Sequence, residues 1–311
     1  MSEIMNGYRL NGSFQNNNAG FSRWTTAVKH GYTYFLKEFI NPIYPEEGTL
    51  SEKLRQDRID LCKDFEREKI RLYRDLNVAS DGNLVRIQEF FRHNSHYYIS
   101  MDYIENDNIS FEDLQKYSLR DRLMLCRSVA HSIMRLHSKK IIHSDIKATN
   151  VIIKRSPAGK PIGKVIDFDS AFFEYNKPQY EDELGGDQVY LSPEGCMFIR
   201  GREVEITDKI DVFAMGILFH QYLTGDLPGY DREEYRYCHQ VVLDDEKLIL
   251  SPALSEEVKS LLSDMLECDA GKRINSAEVF HRLGKILFKD DETTLEKKKP
   301  EDFFNSGGDL K

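Results

Sequence analysis

The 311-residue chain has no run of about 18 or more apolar residues, so no membrane-spanning helix is expected. Its longest apolar stretch, Val212 to Phe219, is too short to cross a bilayer. The opening MSEIMNGYRLNGS has no basic stretch leading into an apolar one, which argues against a secretory signal. Cysteine is sparse. The five, at positions 62, 126, 196, 238 and 268, show no metal-ligand spacing and read as reduced thiols of a cytoplasmic protein. Positive charge is in deficit. A net charge of −9 argues against general nucleic-acid binding and favours solubility. No internal repeat is visible, no membrane partner is implied, and a homodimer is left open.

What is present divides into two patterns. Residues 8–40 alternate polar and apolar around turn residues, which reads as a meander of short strands. A long helix should follow Pro42 and Pro45, capped by Thr49 or Ser51, with Leu54, Leu61, Phe65, Glu68 and Leu72 on one inward stripe. Two more strands are expected at Leu84–Arg92 and His96–Ile104. Beyond them the periodicity turns helical. Ser118 to Asp121 forms a variant capping box, and residues 208–223 are apolar on nearly every side, with Gly225 as the stop. Short strands at Val151–Ile153 and Lys164–Ile166 flank a Pro/Gly loop, and further helices fall at Val258–Cys268 and Ala277–Phe288. After Lys289 the charged run suggests a flexible tail. Strands first and helices after predict an α+β chain of two lobes joined near Asp102–Asp107.

The chemistry is concentrated in HSDIKATN, His143 to Asn150, and in Asp167-Phe168-Asp169. An aspartate, a lysine and an asparagine stand within six residues, and a second aspartate follows at the end of an apolar run. Phosphoryl transfer from a metal–nucleotide complex uses such groups. One carboxylate orients a hydroxyl and takes its proton, one ammonium offsets phosphoryl charge, and an amide oxygen with a second carboxylate holds Mg²⁺.

On these residues the chain resembles the eukaryotic-type protein kinases over about residues 10–288. His143, Asp145, Lys147 and Asn150 match the catalytic-loop pattern, with Ser144 in the place of its arginine. Asp167, Phe168 and Asp169 match D-F-G; Ser192, Pro193 and Glu194 match A-P-E. Asp211 and Gly216 match the core-helix pattern, and Arg273 stands where the family pairs an arginine with the A-P-E glutamate.

The resemblance implies a bilobal kinase fold: an extension over 1–9, a β-rich lobe over 10–102 with one long helix, a helical lobe over 103–288 and a tail over 289–311. It implies Asp145 as base, Lys147 as the neutralising cation, and Asn150 and Asp167 as Mg²⁺ ligands. Lys37 would hold ATP phosphates with Glu68 as its partner. Phe21, Trp24, Phe35 and Ile152 would flank the nucleotide, with Met101 at the back of the pocket and Asp102, Tyr103 and Ile104 as hinge.

Three further features depart from the family pattern. The glycine-rich loop becomes Asn17-Asn18-Ala19-Gly20-Phe21-Ser22, so its three glycines are replaced by asparagine, alanine and serine. Asp169 replaces a glycine. Asp187 replaces a threonine and is placed to pair with Lys147 or repel Asp145. The expected activity is transfer of the ATP γ-phosphoryl group to serine or threonine of a protein substrate whose identity the sequence does not give. Activation-segment phosphorylation should be dispensable. A pseudokinase scaffold and a small-molecule kinase of the aminoglycoside or choline type are the alternative readings.

Overall fold

The computed structural model of the chain describes residues 3–16, 22–48 and 51–296. Strands β1 (Ile4–Met5), β2 (Tyr8–Leu10), β3 (Ser22–Lys29) and β4 (Tyr32–Phe39) precede helix α1 (Glu52–Ala79), and β5 (Ile87–His93) and β6 (His96–Asp102) follow it. They form one six-stranded antiparallel sheet in the order β1-β2-β3-β4-β6-β5. The segment over 1–9, read as an extension, therefore contributes strands, and it buries Met5 and Tyr8. Alternation fixes which side chains face the cleft. Phe35 and Lys37 share one face of β4, with Met101 of β6 opposite Phe35 and Trp24 of β3 opposite Lys37.

Helix α1 begins at Glu52 with Ser51, one of the two expected caps, in the N-cap position but without a side-chain cap hydrogen bond; Thr49 lies outside the described residues. Its buried face is Ile59, Cys62, Lys69, Leu72, Tyr73, Leu76 and Ala79. Two residues of the expected stripe, Leu54 and Leu61, are instead 56% and 53% exposed. Leu72 is buried as expected and Phe65 packs against the core, but Cys62 and not Leu61, and Lys69 and not Glu68, take the inner positions.

After Asp102 the chain runs to α2 (Phe111–Gln115), whose Ser110 and Asp113 complete a capping box. Helix α3 (Leu119–Ser138) then packs against helices of the second half and against β9 (Pro161–Val165). The short pieces β7 (Ile141–Ile142), β8 (Val151–Arg155) and β10 (Phe172–Phe173) carry the polar loops between them. Helices α4 (Pro193–Ile199), α5 (Lys209–Thr224), α6 (Cys238–Leu243), α7 (Glu256–Met265) and α8 (Ser276–Glu296) complete the fold. Helix α8 thus passes the expected end at Phe288 and continues to Glu296.

Helix α5 is buried from Ile210 through His220 and stops at Gly225, whose φ of 91° suits a residue without a Cβ. Gly216 lets α5 approach α7: a Cβ there would stand 2.9 Å from Leu266 Cδ2. The main core runs through both halves, from Leu72, Leu76 and Ile99 to Ile133, Phe213 and Leu261. Backbone bonds also join them: Val85 N donates to the Val165 carbonyl at 3.0 Å, and Val165 N to that of Asn83 at 2.9 Å. That link places Asp167, two residues past β9, beneath the sheet.

Candidate active site

A cleft of about 740 Å³ opens between the sheet and the helical part, within the range usual for ligand sites. Trp24, Phe35, Lys37, Met101, Asp102, Tyr103, Ile104, Asp145, Lys147, Asn150, Ile152 and Asp167 all line it. Val85, Thr149, Ile166, Asp169, Ser170, Gly185, Gly186 and Asp187 add to the lining. Two expected members stand apart. Phe21 lies outside the described residues, and Glu68 is half-buried on α1 and absent from the lining.

The catalytic loop is held from below. Asp211, the buried acid of α5, accepts from His143 N and Ser144 N at 2.8 Å each, and from His137 Nε2 at 2.9 Å. Burial alone would raise the Asp211 pKa. The bond from His137 and the neighbouring His137, His143 and backbone N–H outweigh it and hold the carboxyl below its ordinary value. His143 is fully buried beside Phe168, ring centroids 5.1 Å apart, and its Nε2 donates to the Ile166 carbonyl at 3.1 Å. Ser144, at φ 62°, uses its hydroxyl to bond the Ser170 carbonyl at 2.7 Å. The residue in the arginine's place therefore ties the catalytic loop directly to the segment after Asp167.

Asp145 is the most constrained acid in the cleft. Its Oδ2 accepts from Asn150 Nδ2 at 2.8 Å and pairs with Lys147 Nζ at 2.8 Å. Asn150 Nδ2 also bonds the Asp145 carbonyl at 2.8 Å. Both contacts are to acceptors, so the amide nitrogen must lie on that side and the amide oxygen stays available. Asp145 Oδ1 is buried and has no hydrogen-bond partner among the described residues. A buried carboxylate oxygen left over in this way fits an incoming hydroxyl.

Asp187 is exposed, and its Oδ1 accepts from Val189 N at 2.9 Å. The partner of Lys147 is Asp145.

Lys37 is 7% exposed and sits between two carboxylates, 2.7 Å from Asp167 Oδ1 and 2.9 Å from Asp169 Oδ2. Burial works to lower its pKa, but Asp169 and then Asp167 more than offset it and raise the value. The expected Lys37–Glu68 pair is not formed. Lys69, and not Glu68, takes the inner position on α1, and burial lowers its pKa. Lys69 Nζ stands 3.4 Å from the Asp169 carbonyl and about as close to aromatic rings as cation–π contact requires, 5.8 Å from Phe39 and Phe65. The signal for Asp169 was in the sequence, as a charge where the D-F-G pattern has glycine. The signal for Lys69 was weaker: a lysine in phase with Cys62, Tyr73 and Leu76.

A remote buried pair matches the third motif. Arg273 meets Glu194 end-on, Nη1 to Oε1 at 2.6 Å and Nη2 to Oε2 at 3.0 Å, with both side chains buried. The remaining guanidinium protons go to the carbonyls of Glu267, Lys209 and Cys268. The protein kinase domain family matches residues 52–283, most of the chain.

The chain belongs to the protein kinase family. It is similar to the serine/threonine-protein kinase Aurora-2 of Arabidopsis thaliana, 24% identical over 273 residues, covering 82% of this chain and 89% of that one. It is 24% identical over 201 residues to the calcium/calmodulin-dependent protein kinase type II alpha chain of Drosophila melanogaster, 63% of this chain and 37% of that one. It is 30% identical over 196 residues to the calmodulin-binding receptor-like cytoplasmic kinase 1 of Arabidopsis thaliana, 58% of this chain and 40% of that one. The mixed α/β content fits the bilobal kinase fold. No helix among the described residues is long and apolar enough to cross a membrane.

The donor set also fits a hard divalent cation. Asn150 and Asp167 offer two oxygen ligands at one cleft, and Mg²⁺ commonly takes one or two protein oxygens and completes its shell with phosphate and water.

Proposed function

We propose that the protein transfers the γ-phosphoryl group of Mg-ATP to serine or threonine hydroxyls of a protein substrate. The observation that carries this reading is Asp145, with Oδ2 fixed by Asn150 and Lys147 and Oδ1 buried without a partner. The substrate hydroxyl would lie against Oδ1. Its oxygen attacks the γ-phosphorus, the bond to the β-phosphate oxygen breaks, ADP leaves, and the hydroxyl proton passes to Asp145. Lys147, 2.8 Å from Asp145, offsets charge on the moving group. Lys37 would hold the α and β phosphates, and Asn150 and Asp167 would hold Mg²⁺, which when bound offsets charge on the β and γ phosphates. Trp24 and Phe35, stacked with centroids 5.2 Å apart, would cover the adenine, with Asp102–Ile104 as hinge. A cytoplasmic location agrees with the five free thiols.

The reading includes activity without phosphorylation of the activation segment. Ser144 reaches Ser170 through an uncharged hydrogen bond, so no phosphate is needed to join these two stretches. Mass spectrometry of protein incubated with Mg-ATP after phosphatase treatment tests both points. Phosphoserine or phosphothreonine should accumulate on added protein substrates or on the chain itself. A phosphatase-treated sample that stays inactive until rephosphorylated would refute independence. Phosphate found only on tyrosine would refute the serine/threonine assignment.

A further inference from the structure

Both carboxylates that pair with Lys37, those of Asp167 and Asp169, come from the segment after β9. Helix α1 presents a second cation, Lys69, at the inner position of the relevant turn, while Glu68 is half-buried and outside the cleft. Of the two acids that reach Lys37, Asp167 has another task in the reading above, because its carboxylate would be drawn to the metal.

We propose that Asp169, standing where the family has glycine, is the positioning residue for Lys37, so that the phosphate-binding lysine is set by the segment after β9 instead of by α1. This rests on the nucleotide-binding reading and deepens it. Three contacts support it. Lys37 Nζ donates to Asp169 Oδ2 at 2.9 Å. The same oxygen accepts from Ser22 Oγ at 2.8 Å, and Ser22 is the buried first residue of β3, the strand paired with β4. One carboxylate oxygen thus bridges two adjacent strands. Lys69 Nζ, 3.4 Å from the Asp169 carbonyl, supports the backbone at the same residue. The charges are reversed relative to a helix-borne carboxylate: the helix supplies the cation and the acidic triplet supplies the anion. Displacement of α1 would leave the anionic partner of Lys37 in place.

Calorimetric titration of Mg·ADP onto a double-mutant cycle tests the assignment. The proteins are the unmodified chain, Asp169→Asn, Lys37→Met and the double variant, each first checked for an unchanged melting temperature without nucleotide. Asp169→Asn should weaken binding about tenfold in the unmodified background and less than about twofold in the Lys37→Met background, because it acts through Lys37. Glu68→Gln should change binding less than about twofold. Equal losses in both backgrounds would mean that Asp169 meets the metal or phosphates directly, and would overturn the positioning role. So would no loss at all, or a Lys37-dependent loss with Glu68→Gln in its place. If Asp169→Asn lowers the melting temperature, Asp169→Glu, which keeps the charge, should restore tenfold-tighter binding; failure to do so overturns the role. Absence of Mg·ADP binding by the unmodified chain would bring down the nucleotide reading itself.

Discussion

Arg273 and Glu194 lie 79 residues apart and meet through two parallel hydrogen bonds with almost no solvent contact. The pair joins the start of α4 to the turn before α8, and the Arg273 guanidinium also packs over the Phe213 ring at 5.0 Å. Its worth depends on both members being present. Burying either charge alone leaves an uncompensated ion.

Glu194→Ala and Arg273→Ala should each destabilise the fold by about 3–5 kcal/mol, measured as the shift in a urea unfolding transition. Replacing both by apolar residues of similar volume should recover much of that loss. Losses below about 1 kcal/mol for the single variants would mean that the pair is solvated in solution.

Acid should weaken the fold in part through His239. This residue is buried beside the Gln188–Leu191 backbone, and burial, then the nearby Arg200, push its pKa down to about 4. An unfolded histidine titrates near 6.5. Below that pH the unfolded chain binds a proton that the folded chain refuses, so stability is complete above about 6.5 and falls as pH drops toward 4. The contribution is on the order of 1 kcal/mol per pH unit. As pH falls from 7 to about 4.5 the native protein should lose stability relative to His239→Leu, since other acids titrate in both. A constant gap between the two curves would show that His239 does not titrate in that window.

Trp24 is the one tryptophan in the sequence, and it lines the cleft. Its emission therefore reports on the proposed nucleotide site without a label. Adding Mg-ATP should quench the fluorescence in a saturable way. Trp24→Phe should abolish the signal while calorimetric affinity falls by less than about tenfold, the range expected for an aromatic contact. Saturable ATP binding with unchanged emission would place the base away from the Trp24–Phe35 stack.

The polar loop was legible from sequence because its chemistry needs fixed residue types within two short turns. Asp145, Lys147 and Asn150 cannot spread far along the chain and still meet around one phosphoryl group. Lys37 lies within β4 and Asp167 two residues past β9, and the backbone link between Val165 and the Asn83–Val85 stretch brings both to one cleft. The partner of Lys37 was not legible in the same way. A step of one residue turns a helix by about 100°, and α1 carries two competing stripes. Of the expected stripe, Phe65 and Leu72 do face the core, but Leu54 and Leu61 are exposed, and the buried face extends instead over Cys62, Lys69, Tyr73 and Leu76. A lysine whose ammonium sits over Phe39, Phe65 and Tyr73 looks like a surface residue until those rings are in place. Ser22 was hidden for another reason: its bond to Asp169 spans 147 residues and leaves no local pattern.

The central claim is that Asp145 takes the proton of a hydroxyl that receives phosphate. The direct measurement is transfer of labelled γ-phosphate from Mg-ATP to protein by the native chain and by Asp145→Asn, at equal folded concentration confirmed by thermal melting. The native protein should incorporate label in a metal-dependent manner. The variant should be slower by about 10²–10⁴-fold, with nucleotide binding retained. Equal rates for the two proteins, or no incorporation by either, would contradict the account.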